Sequence, residues 1–250
     1  MANFIGTAGG FQEERARKRR ERFLLLAIAS LSIFEFVLGF LVGGCNSRHS
    51  FGFVLAAIVV MLLILWFFRR ADRRLDKEAR LIRNDEKGAD GEREIIPYLK
   101  RLPDTFTVVC DLNFADSYGN IDHLVIGPTG VFSIDVKNWR GIVTPDGAGE
   151  LLLNGRPTDK PAVRAFTART MDFRERLRAL THLDPFIQCV FVFPHTQVDA
   201  KWGTTGNVHC INIEKTAEYI QNYRGKTSIS DAETARLVEA AKALKSLAGK

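Results

Sequence analysis

Two long apolar stretches near the amino terminus constrain this chain more than any other feature. Residues 23–44 and 51–68 contain almost only apolar side chains, apart from Glu35 in the first stretch. As α-helices they would be about 33 Å and about 27 Å long, and the hydrocarbon core of a bilayer is about 30 Å thick. Residues 45–50, between them, leave room only for a tight turn. The pattern therefore predicts a two-helix transmembrane hairpin over residues 23–68.

Basic residues flank both apolar stretches. Residues 13–22 contain six basic and three acidic side chains, residues 69–83 contain seven and three, and the connecting loop holds only Arg48. This positive-inside bias predicts a multi-pass protein of the inner (plasma) membrane with both termini in the cytoplasm. An alternative is a signal peptide with a lipoprotein-like cleavage box at Cys45. The second stretch would still return the rest of the chain to the cytoplasm.

The net charge is divided unevenly along the chain. The whole sequence carries +6 and has a pI of about 9.2. The basic flanks counted above carry +3 and +4, and the charges of Glu35 and Arg48 cancel, so the first 83 residues have a net charge of +7. Subtracting this from the total of +6 leaves residues 84–250 with a net charge of −1. A high pI often indicates nucleic-acid binding. Here the positive charge belongs to the flanks of the apolar stretches, so it is not evidence for DNA.

Residues 84–250 have the pattern of an α/β domain with a mixed sheet. We expect strands at 106–112, 120–126, 131–137, 142–144, 150–153, 186–193 and 208–213. We expect helices at 87–102, bent by Pro97, at 161–180, and from the capping box at Ser230 to near Gly249. The four cysteines, Cys45, Cys110, Cys189 and Cys210, lack the spacing of a zinc site. We expect the last three to be reduced core residues.

The two central strands bring acidic residues together. A two-residue loop at Pro128 and Thr129 makes residues whose numbers sum to 257 face each other, so Asp122 lies opposite Asp135. Period-two alternation places Lys137 on the same face as Asp135. Two opposed carboxylates beside an ammonium group indicate a Mg²⁺ (or Mn²⁺) site, in which Lys137 would orient water or stabilise charge on a phosphoryl oxygen.

Two other interpretations of this hairpin stay open at the level of sequence. It could be a solvated hairpin with an incidental cluster of charges. A type I turn with a bulge at Gly130 would rotate Asp122 away from Asp135. In the favoured arrangement, with Asp122 opposite Asp135, one face of the sheet carries the charged side chains. The other face is then the apolar core face, so the sheet separates charged from apolar side chains. That face holds Ile121, Val125, Phe132, Ile134 and Val136, with His123 among them.

A resemblance to a known family covers three segments. They are GADGE at residues 88–92, GNIDHLVIGP at residues 119–128 and GVFSIDVKNWRG at residues 130–141. Together they closely resemble the nuclease-related domain, NERD, a family assigned to the PD-(D/E)XK nuclease superfamily with restriction enzymes and archaeal Holliday-junction resolvases. The resemblance is specific over residues 88–141. It implies a restriction-endonuclease-like mixed β-sheet flanked by helices.

The same resemblance implies roles for individual residues. Asp122 would be the metal-binding aspartate, Asp135 the acidic residue of the D/E-x-K motif, and Lys137 its lysine. Glu92, on the first helix, would be an additional acidic residue that binds metal or water, and the main-chain oxygen of Val136 would complete the ligands. The implied activity is Mg²⁺-dependent hydrolysis of phosphodiester bonds in nucleic acid, with DNA favoured over RNA.

These observations divide the chain into five parts. They are a basic segment at 1–22, the hairpin at 23–68, a basic helical linker at 69–85, the nuclease-like domain at 86–225 and a carboxy-terminal helix at 226–250. Arginines of the helix at 161–180 are the candidates for contact with phosphates, namely Arg164, Arg169, Arg174, Arg176 and Arg178. Two alternatives are a catalytically inactive, membrane-tethered module that binds nucleic acid or protein, and a structural membrane protein that forms homo-oligomers through Glu35.

Overall fold

This computed structural model describes residues 1–44, 51–114, 119–198, 208–225 and 229–247. The chain divides into two compact units, one made of Met1–Phe11 and Lys87–Lys250, the other of Gln12–Glu86. The helices are α1 Gly10–Gly44, α2 Phe51–Glu94, α3 Ile96–Leu99, α4 Ala162–Thr181, α5 Thr216–Asn222 and α6 Asp231–Leu247. The strands are β1 Asn3–Ile5, β2 Thr107–Leu112, β3 Ile121–Gly127, β4 Gly130–Val136, β5 Gly141–Pro145, β6 Leu151–Leu153, β7 Arg156–Pro157, β8 Ile187–Phe193, β9 Thr196–Val198 and β10 Val208–Asn212.

The unit Gln12–Glu86 consists of most of α1 and α2. Both apolar stretches are helical, whereas the turn at 45–50 and many side chains of the two stretches lie outside the described residues. Over the part of the chain that is described, no helix has the length and apolar character needed to cross a membrane. Within this unit Arg19 Nε lies 2.8 Å from Asp85 Oδ2, and Arg20 pairs with Glu86.

The other unit is built on a mixed sheet of six strands in the order β1-β2-β3-β4-β8-β10. Strands β2, β3 and β4 form an antiparallel meander, and β8 and β10 continue the sheet in parallel with β4. A smaller sheet has the order β7-β6-β5-β9. The predicted α/β class is confirmed, since both sheets pack with helices.

Helices cover both faces of the six-stranded sheet. On one face, Phe132 and Ile134 of β4 pack in one core cluster with Leu99 of α3 and Ile220 of α5. On the opposite face a second cluster contains Leu124, Ile126 and Val131 of the central hairpin, Phe173 and Leu177 of α4, and Leu237 of α6. The expected separation of charged from apolar side chains is therefore wrong, because α4 and α6 bury the face that carries Asp122 and Asp135.

Most predicted elements are confirmed within two or three residues. The break at Pro97 is present, since α2 ends at Glu94 and α3 follows as a separate short helix. Cys110, Cys189 and Cys210 are free and buried as expected, while Cys45 lies outside the described residues. Elements that the sequence pattern did not predict are β1, β7, β9 and α5.

Candidate functional site

The register of the central hairpin decides which side chains meet. Strands β3 and β4 pair from Gly127–Gly130 to His123–Ile134, and the two numbers of every pair sum to 257. Asp122 and Asp135 occupy the next position along the two strands. Gly130 has φ +136°, a conformation that favours glycine, and the ladder has no bulge at this residue. The bulged alternative is therefore excluded.

Asp122 is buried and hydrogen-bonded across the hairpin. The whole residue is 6 % exposed, and Oδ2 accepts a hydrogen bond of 2.8 Å from the backbone N–H of Val136. Burial, followed by the negative charge of Asp135, raises the pKa of Asp122 to about 7, although the charge of Lys137 acts in the opposite direction. The fold thus holds this carboxyl group in a position that disfavours its ionised form.

Asp135 has two cationic neighbours. Its side chain is buried, Oδ1 lies 2.6 Å from Lys137 Nζ, and Oδ2 accepts a hydrogen bond of 2.7 Å from Arg169 Nη2. The Lys137 ammonium lies 5.4 Å from the ring centroid of Phe191 and is 26 % exposed, so it is the part of this group that solvent reaches. The burial of both aspartates excludes a solvated hairpin.

Glu92 enters the same acidic region from the end of α2. The residue is 2 % exposed, and Oε2 accepts a hydrogen bond of 3.1 Å from the backbone N–H of Gly9. Burial is the main cause that raises the pKa of Glu92 to about 10, and the charges of Asp122, Asp111 and Asp135 add to it in that order. The predicted acidic residues therefore interact electrostatically in the folded protein.

His123 supports the backbone that carries Glu92. Its ring is fully buried, and Nε2 lies 3.1 Å from the main-chain oxygen of Glu92. Burial lowers the pKa of His123 to about 4, which keeps the imidazole neutral near pH 7. A neutral ring donates from Nε2 to this carbonyl oxygen and so ties β3 to the end of α2.

Asp111 is a further acidic residue that sequence reasoning missed. It lies in β2 with φ +52°, which is unusual for a residue other than glycine. Its Oδ2 accepts a hydrogen bond of 2.5 Å from the backbone N–H of Phe11, and its Oδ1 accepts one of 2.8 Å from Asn120 Nδ2. The one available signal was its place at the end of a strand next to the strand that carries Asp122.

The donor types fit a hard divalent cation. Carboxylate and carbonyl oxygens are the ligands that Mg²⁺ and Mn²⁺ prefer. A cation would favour the ionised forms of Asp122 and Glu92, whose pKa values are raised by burial first and by the neighbouring carboxylates second. Among the described residues, however, no group of three or more Asp, Glu, His or Cys side chains could hold a metal ion. The full ligand set of Glu92, Asp122, Asp135 and the Val136 carbonyl therefore stays a prediction.

The arginines of α4 have different surroundings. Arg169 points to Asp135, whereas Arg174 Nη2 bonds Asp184 at 2.6 Å and Arg176 Nε lies 3.4 Å from Asp172. The candidates that remain most exposed are Arg164 and Arg178. The candidate surface for phosphate contact is therefore the exposed side of α4 with Arg164 and Arg178. That this surface binds nucleic acid stays a prediction.

Comparison with known proteins points to one family. The family model described as nuclease-related domain, NERD, matches residues 87–194. No curated protein and no solved structure matches the chain. The matched range continues beyond Gly141, where the resemblance in sequence motifs ends, and includes Glu92, Asp122, Asp135 and Lys137. Residues 87–194 of this chain thus match the nuclease-related domain, NERD.

Proposed function

We propose that this domain hydrolyses phosphodiester bonds in nucleic acid, with DNA favoured over RNA, and depends on Mg²⁺ or Mn²⁺. One observation carries the proposal: Asp122 and Asp135 are buried at adjacent positions of two paired strands, and Lys137 lies beside them. Buried like charges are destabilising unless a cation is shared. Such an arrangement in a nuclease-related domain is expected where a cation takes part in function.

The residues of the site would divide the chemistry between them. Asp122, Asp135 and the main-chain oxygen of Val136 would hold the ion, with Glu92 beside them. A bound divalent ion supplies positive charge that stabilises the developing negative charge on the phosphoryl group. Lys137, the most exposed of these side chains, would orient the water whose oxygen attacks phosphorus, or stabilise charge on a phosphoryl oxygen.

The proposal is tested with the full-length protein in detergent, incubated with single-stranded DNA, duplex DNA or RNA and with Mn²⁺ or Mg²⁺. We expect Lys137→Met and Asp135→Asn to lower the cleavage rate by about 10²- to 10³-fold. Asp159→Asn is the matched control, because Asp159 is exposed and lies in the loop before α4. Cleavage that is unaffected by Asp135→Asn would remove the assignment of this site.

A second candidate is a binding module without catalysis. The observation that favours it is the pairing of Asp135 with both Lys137 and Arg169, which balances its charge without a metal. Such a module would bind nucleic acid or a protein equally well with and without EDTA and would cut no substrate in the assay above. Metal-dependent cleavage would exclude it.

We also propose that residues 23–68 attach the domain to the inner (plasma) membrane with both termini in the cytoplasm. The support is the length of the two apolar stretches and the basic residues on their outer flanks. Alkaline carbonate should leave the protein in the membrane pellet. A membrane-impermeant maleimide applied from outside the cell should label Cys45 and leave a Cys45→Ser variant unlabelled. Release of the protein by carbonate, or labelling only after lysis, would contradict the topology.

A further inference from the structure

Residues 1–11 belong to the same compact unit as the nuclease-related domain, although they lie outside the matched range of 87–194. Strand β1 pairs in parallel with β2 over three positions, from Asn3–Thr107 to Ile5–Val109. Ala2 is 7 % exposed and contributes to the core cluster on one face of the sheet. The amino terminus is therefore part of the folded unit that carries the acidic site.

The segment that follows β1 reaches two acidic side chains of that site. The backbone N–H of Gly9 donates to Glu92 Oε2 at 3.1 Å, in a buried position. Two residues later, the backbone N–H of Phe11 donates to Asp111 Oδ2 at 2.5 Å. The first N–H groups of a helix have no acceptor within the helix, so carboxylates beside them are stabilised. Here α1 begins at Gly10, between the two donors.

The contact requires glycine at two consecutive positions. Gly9 has φ +79°, and a Cβ placed on it would lie 3.2 to 3.3 Å from three atoms of Ala89 on α2. A Cβ on Gly10 would lie 2.7 Å from Asp111 Oδ2. Since the same carboxylate accepts from Phe11 and, through Oδ1, from Asn120, it is anchored on two sides and cannot turn away without losing these bonds. Close approach of Gly9 to Ala89 on α2 and of Gly10 to the Asp111 carboxylate explains the Gly-Gly pair.

We propose that the segment Gly9–Phe11 positions Glu92 and Asp111 in the site, an inference that rests on the proposed function. The backbone N–H of Gly9 holds Glu92 in place. The Asp111 carboxylate connects Phe11 to Asn120, and Asn120 lies two residues before Asp122 in the sequence. The segment is a positioning element and not a catalytic one, because it contributes backbone N–H groups and no reacting atoms. Its effect is expected on metal dependence more than on the integrity of the fold.

The test compares Gly10→Ala and Gly9→Ala with Gly147→Ala in the full-length protein. Gly147 is the matched control for Gly9, because its φ of +77° is nearly the same while no atom of the described residues lies within 4 Å of an added Cβ. For Gly10, alanine is favourable in a helix, so a loss of function would arise from the contact with Asp111. Two quantities are measured: hydrogen exchange of residues 87–94 and 107–112, and the Mn²⁺ concentration that gives half-maximal cleavage.

We expect Gly9→Ala to lose protection at residues 87–94, and Gly10→Ala to lose it at residues 107–112, where Asp111 lies. Both variants should need about 10- to 100-fold more Mn²⁺, as is found when partners of metal ligands are removed. Gly147→Ala should match the wild type in both measurements. If the wild type is active and Gly10→Ala needs the same Mn²⁺ concentration for half-maximal cleavage, the positioning role is overturned while the proposed function stands. A wild type that neither binds Mn²⁺ nor cuts nucleic acid would overturn the proposed function and this inference with it.

Discussion

Asp135 shares its charge between two cations, and Arg169 is the more buried of them, with a side chain that is 17 % exposed. Replacing it by methionine leaves the carboxylate with Lys137 alone. We expect Arg169→Met to lower the free energy of unfolding by about 1.5–3 kcal/mol, the contribution typical of a hydrogen bond to a charged group. Urea unfolding followed by circular dichroism measures this change.

Arg178→Met is the control for this substitution, because Arg178 lies on the same helix, is largely exposed and pairs with Glu175 at a distance of 4.0 Å. Exposed pairs of this kind contribute little to stability. Equal destabilisation by the two substitutions would show that Arg169 acts through helix α4 and not through Asp135.

Protonation of Glu92 and Asp122 links stability to pH. Burial raises both pKa values, to about 10 and about 7, above the ordinary 4.5 and 3.8. The unfolded chain therefore releases these protons at lower pH than the folded protein does, and folding becomes less favourable as pH rises through these windows. Without divalent metal, we expect the free energy of unfolding to fall between pH 5 and pH 9, by up to about 1.4 kcal/mol per pH unit for each group.

Glu92→Gln removes one of these groups and should flatten the dependence on pH, whereas Asp159→Asn, at an exposed position, should leave it unchanged. Chemical unfolding at several pH values in EDTA provides the measurement. Stability that increases from pH 5 to pH 9 would contradict the raised pKa values.

At the scale of elements, the tight turn of the central hairpin fixes the positions of Asp122 and Asp135. Gly130 adopts φ +136°, so Gly130→Ala should cost about 1–3 kcal/mol and shift the turn. Gly155→Ala is the control, because Gly155 has φ +72° in a turn, and within the described part of the chain no atom lies within 4 Å of an added Cβ. Both variants carry backbone strain, but only Gly130→Ala should weaken the NMR contacts between His123 and Ile134 and reduce cleavage.

The elements that could be predicted from sequence are those with strong local signals. The apolar runs of β3, β4 and β8 and the capping box, in which Ser230 Oγ bonds Glu233 Oε2 at 2.7 Å, are encoded within a few residues. Strands β1 and β9 have only three residues each, and their pairing partners are distant in the sequence. No local pattern indicates such strands, because their stability comes from the sheet they join.

At the scale of the molecule, the sequence predicted the part of the site that a single hairpin determines. Asp122, Asp135 and Lys137 follow from strand alternation and one turn length. Glu92 was reached only through resemblance to a family. The contacts of Asp111, Arg169 and Gly9 were not predictable, since they join segments 34 to 100 residues apart and depend on how helices and strands pack.

The position of β1 at the border of the six-stranded sheet has a consequence for any shortened form of the protein. A chain that starts at Lys87 lacks β1, and the backbone groups of β2 that bonded Asn3–Ile5 would then be open to other chains. Because β2 carries Val108 and Val109, we expect such a fragment to elute from size-exclusion columns as aggregates, and a synthetic peptide of residues 1–11 added during refolding to restore the monomer. Edge protection of this sheet is thus supplied by residues that precede the nuclease-related domain by more than seventy positions in the chain.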